Sequence, residues 1–224
     1  MAYFSSGNSI QRNSPVVFNL IIINVLVLAA QHLITQFDIT SWGALHYYKS
    51  SEFKPHQLVT YMFLHDKSGI GHIVFNMITL WMFGTILERY WGSKKFLIFY
   101  LVCGLGAAVV EQFTIPFSAA QVSEAQNISI AVVEELYQAI GASGAIMGVM
   151  AAFAFLFPNT ELFMFFIPIP IKAKYAIPVI ALIDLFGGIY RIEGDSVGHF
   201  AHLGGALVGF LLVLFWNKNR KTFY

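Results

Sequence analysis

The chain has 224 residues, of which 57% are hydrophobic and only 11% charged, with 22 Phe, one Cys and a net charge of +1. A soluble globular domain carries about 25% charged residues, and a mean hydropathy of +0.67 exceeds what a soluble core and surface absorb. Those numbers exclude a disordered chain, a disulfide-stapled domain and a basic nucleic-acid binder, and leave a multi-spanning membrane protein.

A helix crossing the hydrocarbon needs about 20 mostly apolar residues. Six stretches qualify in chain order: 15–35, 69–89, 95–115, 139–157, 173–189 and 198–216. Ala29-Ala30 gives the first stretch the look of a signal-peptide cleavage site, but its leader has a single Arg, which argues against cleavage. The predicted division is a cytoplasmic segment 1–14, a six-span core 15–216 and a short basic cytoplasmic tail 217–224. Orientation follows from charge. With the N-terminus inside, Arg12, Arg89, Lys94, Lys95, Lys172, Lys174, Lys218, Arg220 and Lys221 fall inside, and only Lys49, Lys54, Lys67 and Arg191 outside. Both termini are then cytoplasmic.

The connections differ in character. Residues 37–68, with Trp42, Tyr47 and Tyr48, suit the headgroup layer or an irregular outer loop equally well. Residues 116–138 carry Glu124, Glu134 and Glu135 and read as solvated. Phe163–Ile171, with Pro168 and Pro170, reads as extended and interfacial. No repeat or second domain is evident.

Polar side chains at membrane depth are costly and mark function. They are His72 and Asn76 in the second span, Ser143 in the fourth, Asp184 in the fifth, and His199 and His202 in the sixth. Each has an ordinary explanation: a packing serine, a histidine satisfied between helices, an aspartate that caps or bridges. Topology changes the balance. Spans two, four and six run in one direction, and His72, Asn76, Ser143 and His202 fall at one level, roughly 5–10 Å from the outer helix ends at 1.5 Å per residue. His72 and Asn76 share a helix face at i, i+4. Gly144/Gly148 and Gly205/Gly209 are GxxxG pairs that let spans four and six approach closely. The convergence supplies a nucleophile, a base and an oxyanion-hole set.

The chain resembles the rhomboid intramembrane serine proteases. The matching residues are Phe63-Leu64-His65, His72-Ile73-Val74-Phe75-Asn76, Leu87-Glu88-Arg89 with Gly92, Gly141-Ala142-Ser143-Gly144, and Gly198-His199-Phe200-Ala201-His202-Leu203-Gly204-Gly205, across roughly residues 55 to 210. The resemblance implies an all-α six-helix bundle. It also implies Ser143 as nucleophile, His202 as its base, His72 and Asn76 as oxyanion stabilisers, and a dyad that leaves Asp184 structural. It calls for no metal or other cofactor. Two departures stand out. His56-Gln57 replaces a Trp-Arg pair common in relatives, which affects how the first outer loop is anchored. Met147 replaces an aromatic residue that stacks beneath the catalytic histidine in many members; a thioether can also pack against a ring, leaving a less rigid imidazole.

The implied reaction is attack of Ser143 on a peptide carbonyl, followed by hydrolysis of the acyl-enzyme by water from a cavity lined by His72, Asn76, His199 and His202. The partners are transmembrane-helix substrates and membrane lipid, with no nucleic acid. Small residues around Ser143 suggest a small side chain before the cut, within the outer third of a substrate helix. Substrate access is expected beside the fifth span, with its Pro178 and Gly187-Gly188. The rival readings are an inactive rhomboid-like binding protein and a metal protein built on His65, His72, His199 and His202. Against the metal, no H-E-x-x-H motif occurs and no acidic residue sits beside these histidines. The lack of a transit peptide and the short basic tail point to a bacterial plasma membrane.

Overall fold

The computed structural model describes residues 13–164, 167–190 and 197–218. Arg12, Arg191 and the tail from 219 onward, with Arg220 and Lys221, lie outside the described residues. Helix α1 spans Pro15–Leu33 and α2 Ile39–Gly43. After α3, Gln57–Thr60, a 3₁₀ turn covers Tyr61–Phe63. Helix α4, Gly71–Thr79, runs through a wide π turn at Leu80–Gly84 into α5, Thr85–Trp91. Helix α6 spans Ser93–Gln126, α7 Ile130–Leu136 and α8 Ser143–Leu156. A hairpin follows, β1 Glu161–Met164 antiparallel to β2 Ile167–Lys172, then α9 Ala173–Ile189 and α10 His199–Lys218. Among the described residues, α1, α6 and α10 are long and apolar enough to cross a membrane, and α8 is a shorter apolar helix.

Helix α6 is the centre. Its Phe96, Phe99, Tyr100 and Cys103 follow helical spacing and are wholly buried. Small residues then bring α6, α8 and α10 into close contact. A Cβ on Gly205 would sit 1.8 Å from the Gly144 carbonyl oxygen, and one on Gly209 would sit 2.5 Å from Gly148 Cα. The backbones of α8 and α10 touch there, as the two GxxxG pairs predict.

Helix α1 starts on a carboxylate from elsewhere in the chain. Pro15 in its first turn lacks an N–H, which is an orphan donor there in any case. The next two N–H groups, of Val16 and Val17, donate to the Glu88 carboxylate at 2.9 and 2.8 Å, and the Ser93 hydroxyl donates to it at 2.6 Å. Glu88 is buried, and its charge faces the positive end of α1. A hydrogen bond to a charged group is worth about 1.5–3 kcal/mol. Glu88→Ala should therefore destabilise the protein by roughly 3–5 kcal/mol, read as a lower unfolding midpoint in detergent.

Two predicted boundaries move. Helix α6 continues past 115 to Gln126 with Pro116 inside it, so the first part of the expected solvated loop 116–138 is helical. Helix α8 starts at Ser143 rather than near 139, because Gly141 has φ +128° and cannot belong to a right-handed helix. Residues before it are extended, with Ala139 paired to Leu45 by two 2.9 Å backbone hydrogen bonds. Of the stretch Phe163–Ile171, residues 163–164 and 167–171 lie in β1 and β2, extended as expected, and 165–166 lie outside the described residues.

Segment 37–68 packs into the fold rather than forming a loose loop: Leu45, His46, Tyr47, Tyr61, Met62, Leu64 and His65 are buried. Gln57 and His56 anchor it. The Gln57 side chain accepts from the N–H of His46 and Lys54 and donates to the Glu52 carbonyl at 3.0 Å. The His56 ring stacks on Trp42 with centroids 4.3 Å apart and bonds the Trp42 carbonyl at 3.0 Å. The Trp-Arg departure is thus filled by a different set of contacts.

Candidate active site

Gly141 sets the geometry. Its N–H donates to the Tyr61 carbonyl at 2.9 Å, and its positive φ turns the chain into α8 so that Ser143 is the first helical residue. Backbone N–H groups in a first helical turn have no intrahelical acceptor and carry the positive end of the dipole. His202 lies in the first turn of α10, where Ala201 and Gly205 face the Gly144 backbone. The Ser143 hydroxyl and His202 Nε2 are hydrogen-bonded at 2.7 Å. Ser143 and His202, taken from the sequence as a pair, are therefore in direct hydrogen-bond contact.

His72 and Asn76 are on the same side of this pair. His72 Nδ1 accepts the Asp66 N–H at 3.4 Å, leaving Nε2 as the donor of the neutral ring. A Cβ on Gly141 would lie 3.0 Å from that Nε2 and 3.5 Å from Ser143 Oγ, so both polar atoms flank one point. Asn76 is buried and donates one amide hydrogen to the His72 carbonyl at 2.9 Å, keeping a second N–H. All these groups line one cavity of about 840 Å³, together with His199 and Met147. Met147, one turn below Ser143, is buried.

Two titrating groups lie just ahead of α4. The Ser68 hydroxyl and N–H hold the Asp66 carboxyl below its usual range. His65 is fully buried with its ring 5.1 Å from that of His72; burial, and secondarily the His72 charge, push it down to about 4, so it is neutral at pH 7.

Two acidic residues correct the sequence reading. Asp184 on α9 accepts from His199 Nδ1 at 2.8 Å and from His202 Nδ1 at 3.0 Å, so a carboxylate does sit beside these histidines. Fifteen and eighteen residues of sequence separate them, which hid the contact. Glu111, on α6, also lines the cavity and accepts the Tyr137 hydroxyl. Its signal was available as a lone carboxylate within the apolar stretch 95–115. Among the described residues, no three of His, Cys, Asp and Glu are grouped to share a metal ion.

Comparison with known proteins decides the family. Residues 52–219 match the rhomboid domain. The chain belongs to the rhomboid family. This rhomboid is 33% identical over 211 residues to RHOMBOID-like protein 12, mitochondrial, of Arabidopsis thaliana, covering 92% of the chain and 59% of that protein. It is 31% identical over 140 residues to Rhomboid protein 1, mitochondrial, of Saccharomyces cerevisiae, covering 62% of the chain and 36% of the relative. It is 31% identical over 155 residues to Rhomboid protease GluP of Bacillus subtilis, covering 69% and 24%. The chain thus spans less than two thirds of the length of each of these relatives.

The expected bacterial plasma membrane is contradicted by the mitochondrial relatives from Arabidopsis thaliana and Saccharomyces cerevisiae, which point to an organellar membrane. Hydropathy could not supply an address, because hydrocarbon thickness differs by only a few Å between membranes. Charge bias gives orientation within a membrane and not which membrane it is.

Proposed function

We propose that this rhomboid is an intramembrane serine endopeptidase that cuts transmembrane helices of other proteins in an organellar membrane. The observation that carries the reading is the 2.7 Å hydrogen bond between Ser143 and His202 Nε2. A serine hydroxyl is a weak nucleophile until a neighbouring imidazole takes its proton. In the proposed reaction Oγ attacks the scissile carbonyl as the proton passes to Nε2. The ester then forms as the leaving amine takes that proton, and water regenerates the serine. Residues 15–216 form the six-span catalytic core, with both termini in the compartment opposite the site.

The developing oxyanion is met by the Ser143 N–H, His72 and Asn76. Loss of one such donor costs about 10²–10³-fold in rate. Asn76→Ala is expected to lower kcat by that amount; unchanged kcat would assign Asn76 to helix packing. The test of the whole reading is cleavage in proteoliposomes of a single-span substrate with a Gly or Pro near the site-side end of its helix. Mass spectrometry of the product termini should locate the cut in that third of the helix, after a small residue such as Ala. Replacing the helix breaker by Leu should suppress it, because a regular helix hides its peptide bonds. Cleavage at the opposite end, or none in a folded protein, would reject the proposal.

A further inference from the structure

The carboxylate behind the imidazole has a consequence for the base. Asp184 is buried on α9, and a single oxygen, Oδ1, lies 2.8 Å from His199 Nδ1 and 3.0 Å from His202 Nδ1. Gly187, one turn further along the same face of α9, leaves room for the His199 ring. A Cβ there would come within 2.5 Å of it.

A carboxylate oxygen only accepts. If His202 carried its proton on Nε2, its Nδ1 lone pair would face Asp184 Oδ1 at 3.0 Å, and Nε2 would have nothing to offer the serine proton. The arrangement is satisfied when Nδ1–H donates to Asp184 and Nε2 is left free toward Ser143, 2.7 Å away. We infer that Asp184 is a positioning residue that fixes the tautomer and orientation of His202, so that the centre is a Ser143–His202–Asp184 triad. This rests on the serine-protease reading above. When Oγ attacks, the Ser143 proton moves to Nε2, the Nδ1 proton stays on nitrogen, and Asp184 remains ionised beside the imidazolium. His199 holds the other side of the same oxygen and keeps the carboxylate from turning away. A tie between α9 and α10 would need only the His199 contact; the His202 contact is the one that bears on chemistry.

The test uses full-length protein in bilayers, with kcat and KM for a single-span substrate and the rate of inactivation by a fluorophosphonate, which phosphonylates the serine as fluoride leaves. Replacing a triad carboxylate by its amide costs about 10⁴-fold when the tautomer is lost. Asp184→Asn is expected to lower kcat and the inactivation rate together by about 10²-fold or more, with KM within about threefold of the parent. Asp184→Glu, which retains a carboxylate, should recover at least part of both rates. A merely structural Asp184 would alter the unfolding midpoint and leave the inactivation rate of the folded fraction unchanged. A folded Asp184→Asn protein that reacts within about threefold of the parent overturns the inference. If the variant does not fold, ¹⁵N NMR of the parent decides: protonated Nδ1 on His202 supports the triad, and protonated Nε2 overturns it. Ser143→Ala keeps the two ideas apart. Full turnover by that variant rejects the serine mechanism, whereas a dead Ser143→Ala beside a fully active Asp184→Asn rejects the triad alone.

Discussion

Ser143→Ala and His202→Ala are each expected to reduce substrate turnover by about 10⁶-fold, the loss that follows when either member of the proposed nucleophile–base unit is removed. The two effects are not additive, since each variant already lacks the proton transfer that the other would remove. The double variant should be no slower than either single one. Both side chains lie at the cavity rather than in the core that holds the helices together. The variants should therefore insert and unfold much as the parent does. Turnover is measured on reconstituted protein with a single-span substrate, and folding by thermal unfolding in detergent. Substantial cleavage by Ser143→Ala would remove the serine from the reaction.

Gly205→Ala is the second large effect, and it acts through backbone position. The added methyl would need the space of the Gly144 carbonyl, 1.8 Å away, and a backbone oxygen cannot swing aside as a side chain can. Helix α10 must move off α8, which separates His202 from Ser143 by the same displacement. A misplacement of about 1 Å costs on the order of 10²-fold in rate, and overpacking costs about 1–3 kcal/mol or more in stability. The variant should melt at least roughly 5 °C lower and react with a fluorophosphonate about 10²-fold more slowly than the parent. Gly69→Ala is the control, because a Cβ there meets nothing within 4 Å. A Gly205→Ala protein as stable and reactive as the Gly69→Ala control would mean that the close α8–α10 contact is not what holds the pair.

Much of this was legible in the sequence because it depends on local pattern. Apolar runs give the helices, and small residues four apart give the close contact of α8 and α10. Depth along the helices then groups His72, Asn76, Ser143 and His202. What was not legible depends on geometry between distant segments. The start of α8 at Ser143 follows from the left-handed Gly141, whose φ no composition reveals. The continuation of α6 through Pro116 depends on packing that outweighs the lost hydrogen bond. Asp184 is visible in the sequence as a polar residue at depth, where capping or bridging helices accounts for it equally well. Which imidazole it meets is set by how α9 lies against α10. The position of Glu88 at the start of α1 is of the same kind, 71 residues from the Val17 N–H it accepts.

The most direct measurement is the site of covalent modification. The parent protein, reconstituted in bilayers, is treated with a fluorophosphonate, digested and mapped by tandem mass spectrometry. The account predicts a single phosphonyl adduct on Ser143, absent from Ser143→Ala and strongly slowed in His202→Ala, because an unactivated hydroxyl does not displace fluoride at a useful rate. An adduct on another serine, or equal labelling of Ser143 with and without His202, would contradict it.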